Sequence, residues 1–132
     1  MIVDTSAVIA ILRGEEDAEL YMEALARAGE VRMSAATLVE TAVVVDAGRD
    51  PVLSGRLDDL LDAAGTVIEP FTDKHAGIAR RAYQDFGKGS GHPAGLNLGD
   101  CFAYALARSS GQPLLFKGDD FTHTDVRKVL IR

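Results

Sequence analysis

The sequence predicts an α/β fold, a three-layer α/β/α domain in which helices cover both faces of a central parallel β-sheet. Short β-prone segments alternate with helix-compatible segments along nearly the whole chain, which favours a parallel sheet over a meander or a bundle. The length of 132 residues suits one compact domain, so we expect a single domain over residues 1–132. In such folds, functional sites collect at the carboxyl ends of the strands.

Four segments have the character of short strands. Each is a brief run of apolar or β-prone residues that ends at a polar residue or a proline, as a buried strand does where it meets a loop. The predicted strands cover residues 1–3, 31–33, 66–69 and 114–116.

Six other segments have helical periodicity and the signals that begin or end helices. Ser34 suits the N-cap of one helix, Pro51 suits the first turn of another, and Gly29 and Gly65 stand where helices should stop. The glycine-dense stretch 87–95 predicts a mobile loop. The predicted helices cover residues 7–12, 15–28, 35–47, 51–64, 74–86 and 98–108.

The bulk properties argue against several classes of protein. The apolar stretches are much shorter than the roughly 20 residues that span a bilayer, and no signal peptide is evident, so we expect a cytoplasmic protein with no membrane partner. The single cysteine, Cys101, cannot form an internal disulfide and is expected to be a small core residue. The net charge of −6 argues against a protein that holds nucleic acid mainly by long-range attraction to phosphate.

Three acidic residues stand in apolar surroundings, where a charge without a partner is costly. Asp4 is the only charged residue among the first 12, and it stands where the first strand should end. Glu40 is the only charged residue in the stretch 33–45, and Asp100 opens the last predicted helix. Each also has a local explanation, because Asp4 and Asp100 suit helix caps and Glu40 could reach water from the edge of its helix. The helical wheel places Glu40 on an apolar face with Ala36, Val43, Val44 and Ala47, and if this face points inward, as its apolar residues indicate, Glu40 needs a compensating partner.

A convergence of these acids would require a positive counter-charge. Asp119 and Asp120 also follow a predicted strand, although adjacent acids after a glycine are common in turns. Two carboxylates about 4 Å apart repel by roughly 4 kcal/mol at an effective dielectric near ~20, so several converging acids need a cation or a shared proton. Mg²⁺ or Mn²⁺ is the natural cation, because these hard ions prefer oxygen ligands.

Four parts of the sequence form a recognisable set of motifs. They are residues 1–7 (MIVDTSA), Glu40 in its apolar helix, residues 96–105 (LNLGDCFAYA) and residues 114–121 (LLFKGDDF). The segment of residues 97–102, with the sequence NLGDCF, is the most specific part. Together the four parts resemble the successive motifs of the VapC toxins, the PIN-domain ribonucleases of type II toxin-antitoxin pairs.

The resemblance implies a PIN fold with an acidic pocket formed by Asp4, Glu40, Asp100 and a fourth acid. In much of the wider family the fourth acid stands two residues before the Asp-Phe pair, where this chain has Gly118. We therefore assign Asp119 as the fourth acid, with Asp120 as the alternative. The resemblance also implies cleavage of RNA, homodimerisation, inhibition by a cognate VapB-type antitoxin whose tail covers the site, and contact with DNA only through that antitoxin.

The hypothesis for the mechanism is hydrolysis of an RNA phosphodiester bond by a metal-activated water. Asp4, Glu40 and Asp100 would hold one or two Mg²⁺ or Mn²⁺ ions, directly or through waters. Asp119 would orient or deprotonate the attacking water.

Several neighbouring polar residues are candidates for contacts with the substrate. The hydroxyl groups of Thr5 and Ser6 would bond the carboxylates or the phosphate. Lys88, His92 and Lys117 are candidate phosphate contacts, against the alternative that loop lysines are simply solvated.

Two other functions fit part of the pattern. A metal-dependent phosphatase or phospho-acceptor domain also carries an Asp at the end of its first strand, but such enzymes often have a second Asp where this chain has Ser6. A binding module without catalytic activity, which acts only by docking a partner, is the other alternative. A phosphorylated Asp4 would favour the phosphatase, whereas retained toxicity after Asp4→Asn would favour the binding module.

Overall fold

Four short parallel strands and six helices make up the fold in the computed structural model, which describes residues 1–129 and residue 131. The strands are β1 (Ile2–Val3), β2 (Arg32–Ser34), β3 (Val67–Glu69) and β4 (Leu114–Leu115). The helices are α1 (Thr5–Leu12), α2 (Ala18–Arg27), α3 (Ala35–Asp46), α4 (Pro51–Ala63), α5 (Asp73–Phe86) and α6 (Leu98–Ser110).

The strands form one parallel sheet with the order β3-β2-β1-β4. Strand β1 lies inside the sheet, with Ile2 opposite Arg32 on one side and Leu114 on the other. Because all strands run in the same direction, their carboxyl ends meet at one edge. The predicted fold class is confirmed.

Two hydrophobic cores lie on opposite faces of this sheet because successive side chains of a strand point to opposite sides. Ile2 and Leu114 belong to the core beneath α5 and α6, whereas Val3, Met33 and Leu115 belong to the core beneath α1 to α4. All five side chains are buried. The sheet is therefore the middle of three layers, and it holds the carboxyl end of β1 in the interior.

Helices α1 and α2 begin more than one residue away from the expected positions, and side-chain contacts explain both. Helix α1 begins at Thr5 because Asp4 is its N-cap and accepts a hydrogen bond from the Ser6 backbone N–H. Helix α2 begins only at Ala18, since Glu15 and Asp17 lie in the preceding turn, where both bind the same lysine.

The prediction for the buried face of α3 was wrong. Val43 and Val44 are exposed, and the buried residues of α3 are Thr37, Thr41 and Val45. The threonines tolerate this position because each presents a methyl group as well as a hydroxyl, and Thr41 satisfies its hydroxyl by bonding the backbone one turn earlier. Sequence hydrophobicity therefore pointed to the wrong side of this helix.

The glycine-dense stretch 87–95 is closed at its base by backbone hydrogen bonds. The N–H of Lys88 donates to the carbonyl of Leu96 at 2.8 Å, and the N–H of Leu96 donates to the carbonyl of Phe86 at 2.8 Å. Leu96 is fully buried, so this end of the stretch is anchored in the core at the entry to α6. No helix in the described part of the chain is both long enough and apolar enough to cross a membrane.

Candidate active site

A cavity of about 330 Å³ lies at the carboxyl edge of the sheet and collects acidic side chains from five places in the chain. Wider clefts exist elsewhere on the surface, but they lie away from the strand ends where functional sites collect in such folds. The cavity is lined by Asp4, Thr5, Ser6, Ile9, Glu15, Glu40, Asn97, Asp100, Lys117 and Asp120.

Asp4 is held at the end of β1 by two hydrogen bonds from Ser6. The Ser6 backbone N–H donates to Asp4 Oδ2 at 3.0 Å, and the Ser6 hydroxyl donates to the same oxygen at 2.6 Å. Burial nevertheless raises the pKa of Asp4 to about 6, and the negative charge of Glu40 adds to this effect while the Ser6 bonds oppose it. Within the part of the chain that the structure describes, Asp4 forms no ion pair with a basic side chain.

Asp100 occupies the third position of α6 and takes part in a capping box with Asn97. The Asp100 N–H donates to Asn97 Oδ1 at 2.8 Å, and the Asn97 N–H donates to Asp100 Oδ2 at 3.0 Å. Burial raises the pKa of Asp100 to about 8, with further increases from Asp120 and Asp4, although the bond from Asn97 lowers it. The exchange of hydrogen bonds fixes the carboxylate at the cavity, where it lies near other acids.

Glu40 reaches the cavity from α3 and is fixed from two sides. The Thr5 hydroxyl donates to Glu40 Oε1 at 2.6 Å, and the oxygen of that hydroxyl lies 2.8 Å from Thr41 Oγ1. On the other side, the Glu40 carboxylate lies against Gly99 in the first turn of α6, so closely that a Cβ atom at Gly99 would overlap it. The absence of a side chain at Gly99 therefore allows Glu40 and Asp100 to line the same cavity.

Lys117 is the one basic residue among the described residues that line the cavity, and its charge is already engaged. Its Nζ lies 2.8 Å from Glu15 Oε1 and 3.0 Å from Asp17 Oδ1, and these carboxylates raise the pKa of Lys117 above its ordinary value. The Lys117 backbone N–H donates to Ser6 Oγ at 2.9 Å, so the end of β4 also supports the hydroxyl that holds Asp4. The ammonium group does not neutralise the central acids.

The structure brings Asp120, and not Asp119, to the cavity. The chain turns at Gly118, whose φ of 99° is one that glycine adopts readily. Both acids after this turn are exposed, and only Asp120 lines the cavity. Of the two acids considered for the fourth position, the alternative, Asp120, is therefore the one that lines the cavity, and Asp119 is not among the described residues that do so.

Some of the candidate substrate contacts line the cavity and others do not. Thr5, Ser6 and Lys117 line the cavity, whereas Lys88 and His92 are not among the described residues that do so. Lys88 is exposed beside the base of the glycine-dense stretch, and His92 uses its ring Nδ1 to accept a hydrogen bond from the Ala94 N–H at 3.1 Å.

Sequence reasoning missed Asn97, Glu15 and Thr41. The first had a visible signal, because Asn followed three residues later by Asp is the pattern of a capping box. Glu15 had no visible signal, because it is one of several acidic residues in a segment predicted to be a helix. Thr41 looked like an ordinary residue of an apolar helix, and only the packing of α1 against α3 shows its contact with Thr5.

The donor set of the cavity fits a hard divalent cation. Its donors are oxygen atoms of carboxylates, hydroxyls and an amide, which are the ligands that Mg²⁺ and Mn²⁺ prefer. Within the described residues, no three acidic, histidine or cysteine side chains form a ready-made metal cage. Mg²⁺ typically keeps several waters and uses few carboxylates, so an ion with a partly aqueous shell suits this arrangement.

The central parallel sheet and the acidic cavity at its carboxyl edge define an α/β domain with a site suited to a metal ion. Comparison with known families identifies the family. A model described as the PIN domain matches residues 1–127. Mycobacterium tuberculosis ribonuclease VapC28 is 58% identical over 132 residues, which are 100% of this chain and 99% of the relative. Ribonuclease VapC42 of the same species is 51% identical over 127 residues, 96% of this chain and 97% of that one. The chain belongs to the VapC ribonucleases, enzymes of the PIN-domain family.

Solved structures show the same fold at much lower sequence identity. Mycobacterium tuberculosis VapC20, described as a toxin that cleaves the sarcin-ricin loop, superposes with a TM-score of 0.74 at 17% identity and 97% coverage of both chains. VapBC2 from Rickettsia felis, solved with a DNA fragment from its promoter, superposes with a TM-score of 0.74 at 14% identity, covering 99% of this chain and 98% of the other. At such identities the likeness shows the fold alone.

Proposed function

We propose that this protein is the toxin of a type II toxin-antitoxin pair and acts as a Mg²⁺- or Mn²⁺-dependent endoribonuclease that a VapB-type antitoxin inhibits. The observation that carries the proposal is the convergence of Asp4, Glu40, Asp100 and Asp120 on one cavity whose lysine is engaged elsewhere. Four carboxylates without a counter-charge are unfavourable alone, and they suit a site that is completed by a cation. The ribonuclease names of the relatives support RNA as the substrate.

Asp4, Glu40 and Asp100 would hold the ion, directly or through water. Each is anchored through one oxygen, since Ser6 bonds Asp4 Oδ2, Asn97 bonds Asp100 Oδ2 and Thr5 bonds Glu40 Oε1. The second oxygen of Asp4 and of Asp100 is then available to a ligand. Glu40 Oε2 lies against Gly99, and Glu40 Oε1 keeps a lone pair beside the Thr5 hydroxyl. When bound, such an ion supplies positive charge to the phosphate oxygens and makes a nearby water more acidic.

The other residues of the cavity orient these groups and handle the proton. Asp120 is exposed at the cavity, where its carboxylate can accept the proton of the attacking water, the role expected of Asp119. Thr5 and Ser6 act on the carboxylates and not on the phosphate, because their hydroxyls already donate to Glu40 and Asp4. Lys117 lines the cavity near the end of β4, and the one N–H of its ammonium group that does not bind Glu15 or Asp17 is the donor for an incoming phosphate.

The partner proposals rest on the relatives and on one surface of α3. The solved neighbours include a toxin-antitoxin complex from Klebsiella pneumoniae and VapBC2 with promoter DNA, which supports an antitoxin partner and indirect contact with DNA. Val39 and Val43 are more than half exposed and line a groove with little polar surface on α3. A second copy of the chain, or the antitoxin, would cover this apolar surface, which supports the proposed homodimer and antitoxin complex.

The test is cleavage of total bacterial RNA by purified protein that is free of antitoxin. We expect discrete fragments with Mg²⁺ or Mn²⁺ and none with EDTA, with Asp4→Asn or with Asp100→Asn, because each of these changes removes the ion or a carboxylate that would hold it. Asp58→Asn is the matched control, since Asp58 is an exposed carboxylate on α4 outside the cavity. Added VapB-type antitoxin should suppress cleavage by the wild-type protein.

Two results would contradict this proposal. Fragments that persist in EDTA and in both cavity variants would show that the acids and the ion are not needed. Intact RNA in every reaction, together with a trapped phosphate on Asp4, would instead favour the phosphatase alternative.

A further inference from the structure

Two buried threonines lie one turn apart on the inner face of α3, and their hydroxyl groups differ in one respect. Thr37 and Thr41 are both fully buried. Thr41 Oγ1 lies 2.8 Å from the Thr37 carbonyl oxygen and 2.8 Å from Thr5 Oγ1. Thr37 Oγ1 has no hydrogen-bond partner among the described residues. The Thr41 hydroxyl therefore contacts Thr5, which binds Glu40, whereas the equally buried Thr37 hydroxyl contacts neither residue.

The two hydroxyl groups serve three contacts with two hydrogens. The Glu40 carboxylate accepts from Thr5 at 2.6 Å, and the Thr37 carbonyl accepts from Thr41 at 2.8 Å. The Thr5–Thr41 contact of 2.8 Å also needs a hydrogen, because two hydroxyl oxygens at this distance repel without one between them. Either hydroxyl can donate in this contact, so one of the two hydrogens is shared and the two side chains are joined.

We propose that Thr41 is a positioning residue of the active site, whose hydroxyl fixes the Thr5 side chain so that Thr5 holds Glu40 at the cavity. The inference rests on the proposed function, in which Glu40 is one of the acids of the site. Thr5 is the first residue of α1 and directly follows Asp4, while Thr41 directly follows Glu40 on α3. The hydroxyl pair therefore sets the spacing between the elements that carry two of the acids.

A purely structural role for Thr41 makes a different prediction. Threonines inside helices commonly donate to the carbonyl four residues earlier, and this bond alone would satisfy a buried hydroxyl. In that case the methyl group of Thr41 and its volume would matter, and the position of Glu40 would not depend on the hydroxyl. Valine keeps the volume and removes the hydroxyl, whereas serine keeps the hydroxyl and removes a methyl group, so the two substitutions separate these roles.

The experiment compares the full-length wild type with Thr41→Val, Thr41→Ser and the matched control Thr37→Val. The first measurement is the affinity for Mn²⁺ alone, from the electron paramagnetic resonance signal of the free ion. The second is the initial rate at which fragments appear from total bacterial RNA at saturating Mn²⁺. Partners of ligating carboxylates typically change metal affinity or activity by about 10- to 100-fold when they are removed.

We expect Thr41→Val to weaken Mn²⁺ binding by about 10-fold and to lower the cleavage rate by a similar factor, as for other partners of ligating groups. Thr41→Ser should restore both to within about 3-fold of the wild type, an allowance well inside that range. Thr37→Val should match the wild type in both measurements, since it removes a buried hydroxyl that has no partner among the described residues. Circular dichroism on each variant confirms that the comparison is between folded proteins.

Three outcomes would overturn the inference or the proposal beneath it. Equal Mn²⁺ affinity and equal rates in Thr41→Val and Thr37→Val would leave Thr41 without a positioning role. A loss in Thr41→Ser as large as in Thr41→Val would assign the effect to packing. If the valine variant does not fold, a loss of about 10-fold in Thr41→Ser would lead to the same conclusion. A wild type that neither binds Mn²⁺ nor cleaves RNA would instead count against the proposed function.

Discussion

At the scale of single residues, the place of Glu40 depends on the missing side chain of Gly99. Gly99 lies in the first turn of α6, where any residue could adopt the backbone conformation, and glycine is a poor helix former by about 1 kcal/mol relative to alanine. A Cβ atom at this position would overlap the Glu40 carboxylate. The glycine is therefore explained by the space it leaves for an acid from another helix.

Gly99→Ala should separate stability from activity. The overlapping group is the far end of a flexible side chain, so Glu40 can swing away and the protein should keep its free energy of unfolding to within about 1 kcal/mol. RNA cleavage should fall by about 10-fold or more, because the displaced carboxylate no longer faces Asp100. Gly77→Ala is the control, since Gly77 is a helical glycine with nothing within 4 Å of an added Cβ. Wild-type cleavage by Gly99→Ala would contradict this account of Glu40.

Individual residues differ in how far the sequence could reveal them. Asp4, Glu40 and Asp100 were recognisable because an acid in an apolar segment needs a reason. The sequence could not decide whether Asp119 or Asp120 reaches the cavity, because this depends on the torsion angles of the turn at Gly118, which composition and spacing do not encode.

At the scale of secondary-structure elements, the capping box of α6 has two roles. It satisfies the first backbone N–H groups of the helix, and it holds the Asp100 carboxylate at the cavity. Thr72 caps α5 in a comparable way, through a 3.2 Å bond from the His75 N–H, but it lies outside the cavity. Removing each cap in turn therefore separates the effect on helix stability from the effect on the cavity.

Asn97→Ala and Thr72→Ala should each lower the free energy of unfolding by about 1 kcal/mol, the usual effect of losing an N-cap side chain. Only Asn97→Ala should also slow RNA cleavage, because Asp100 loses the partner that accepts its backbone N–H and fixes the first turn. Urea denaturation and cleavage rates on the two variants provide the comparison. Equal cleavage by both variants would show that the cap serves the helix alone.

The elements themselves were predictable to the extent that local signals decide them. The parallel sheet and all six helices follow from apolar periodicity and capping residues. The start of α2 at Ala18 could not be predicted from local signals, since Lys117 binds Glu15 and Asp17 across about 100 residues of sequence. The buried face of α3 was mispredicted because helix α1 packs against threonines and leaves valines exposed.

At the scale of the whole molecule, the buried acids link stability to pH. The folded protein raises the pKa of Asp4 from 3.8 to about 6 and that of Asp100 from 3.8 to about 8, chiefly through burial. Between roughly pH 4 and pH 8, the folded state therefore binds more protons at these groups than the unfolded chain does. Under this condition the free energy of unfolding decreases as the pH rises.

Thermal unfolding in EDTA should show this slope as a melting temperature that falls from pH 5 to pH 8. The double variant Asp4→Asn/Asp100→Asn should show a flatter dependence, because amides at these positions do not titrate, and the difference between the two proteins isolates the acids from all other groups. Mg²⁺ should raise the melting temperature of the wild type more at pH 8 than at pH 5, since protons and the ion compete for the same carboxylates. A wild-type slope in EDTA equal to that of the double variant would mean that folding does not raise the pKa values of these two acids. An effect of Mg²⁺ that is independent of pH would mean that the carboxylates of the cavity are not the groups that the ion binds.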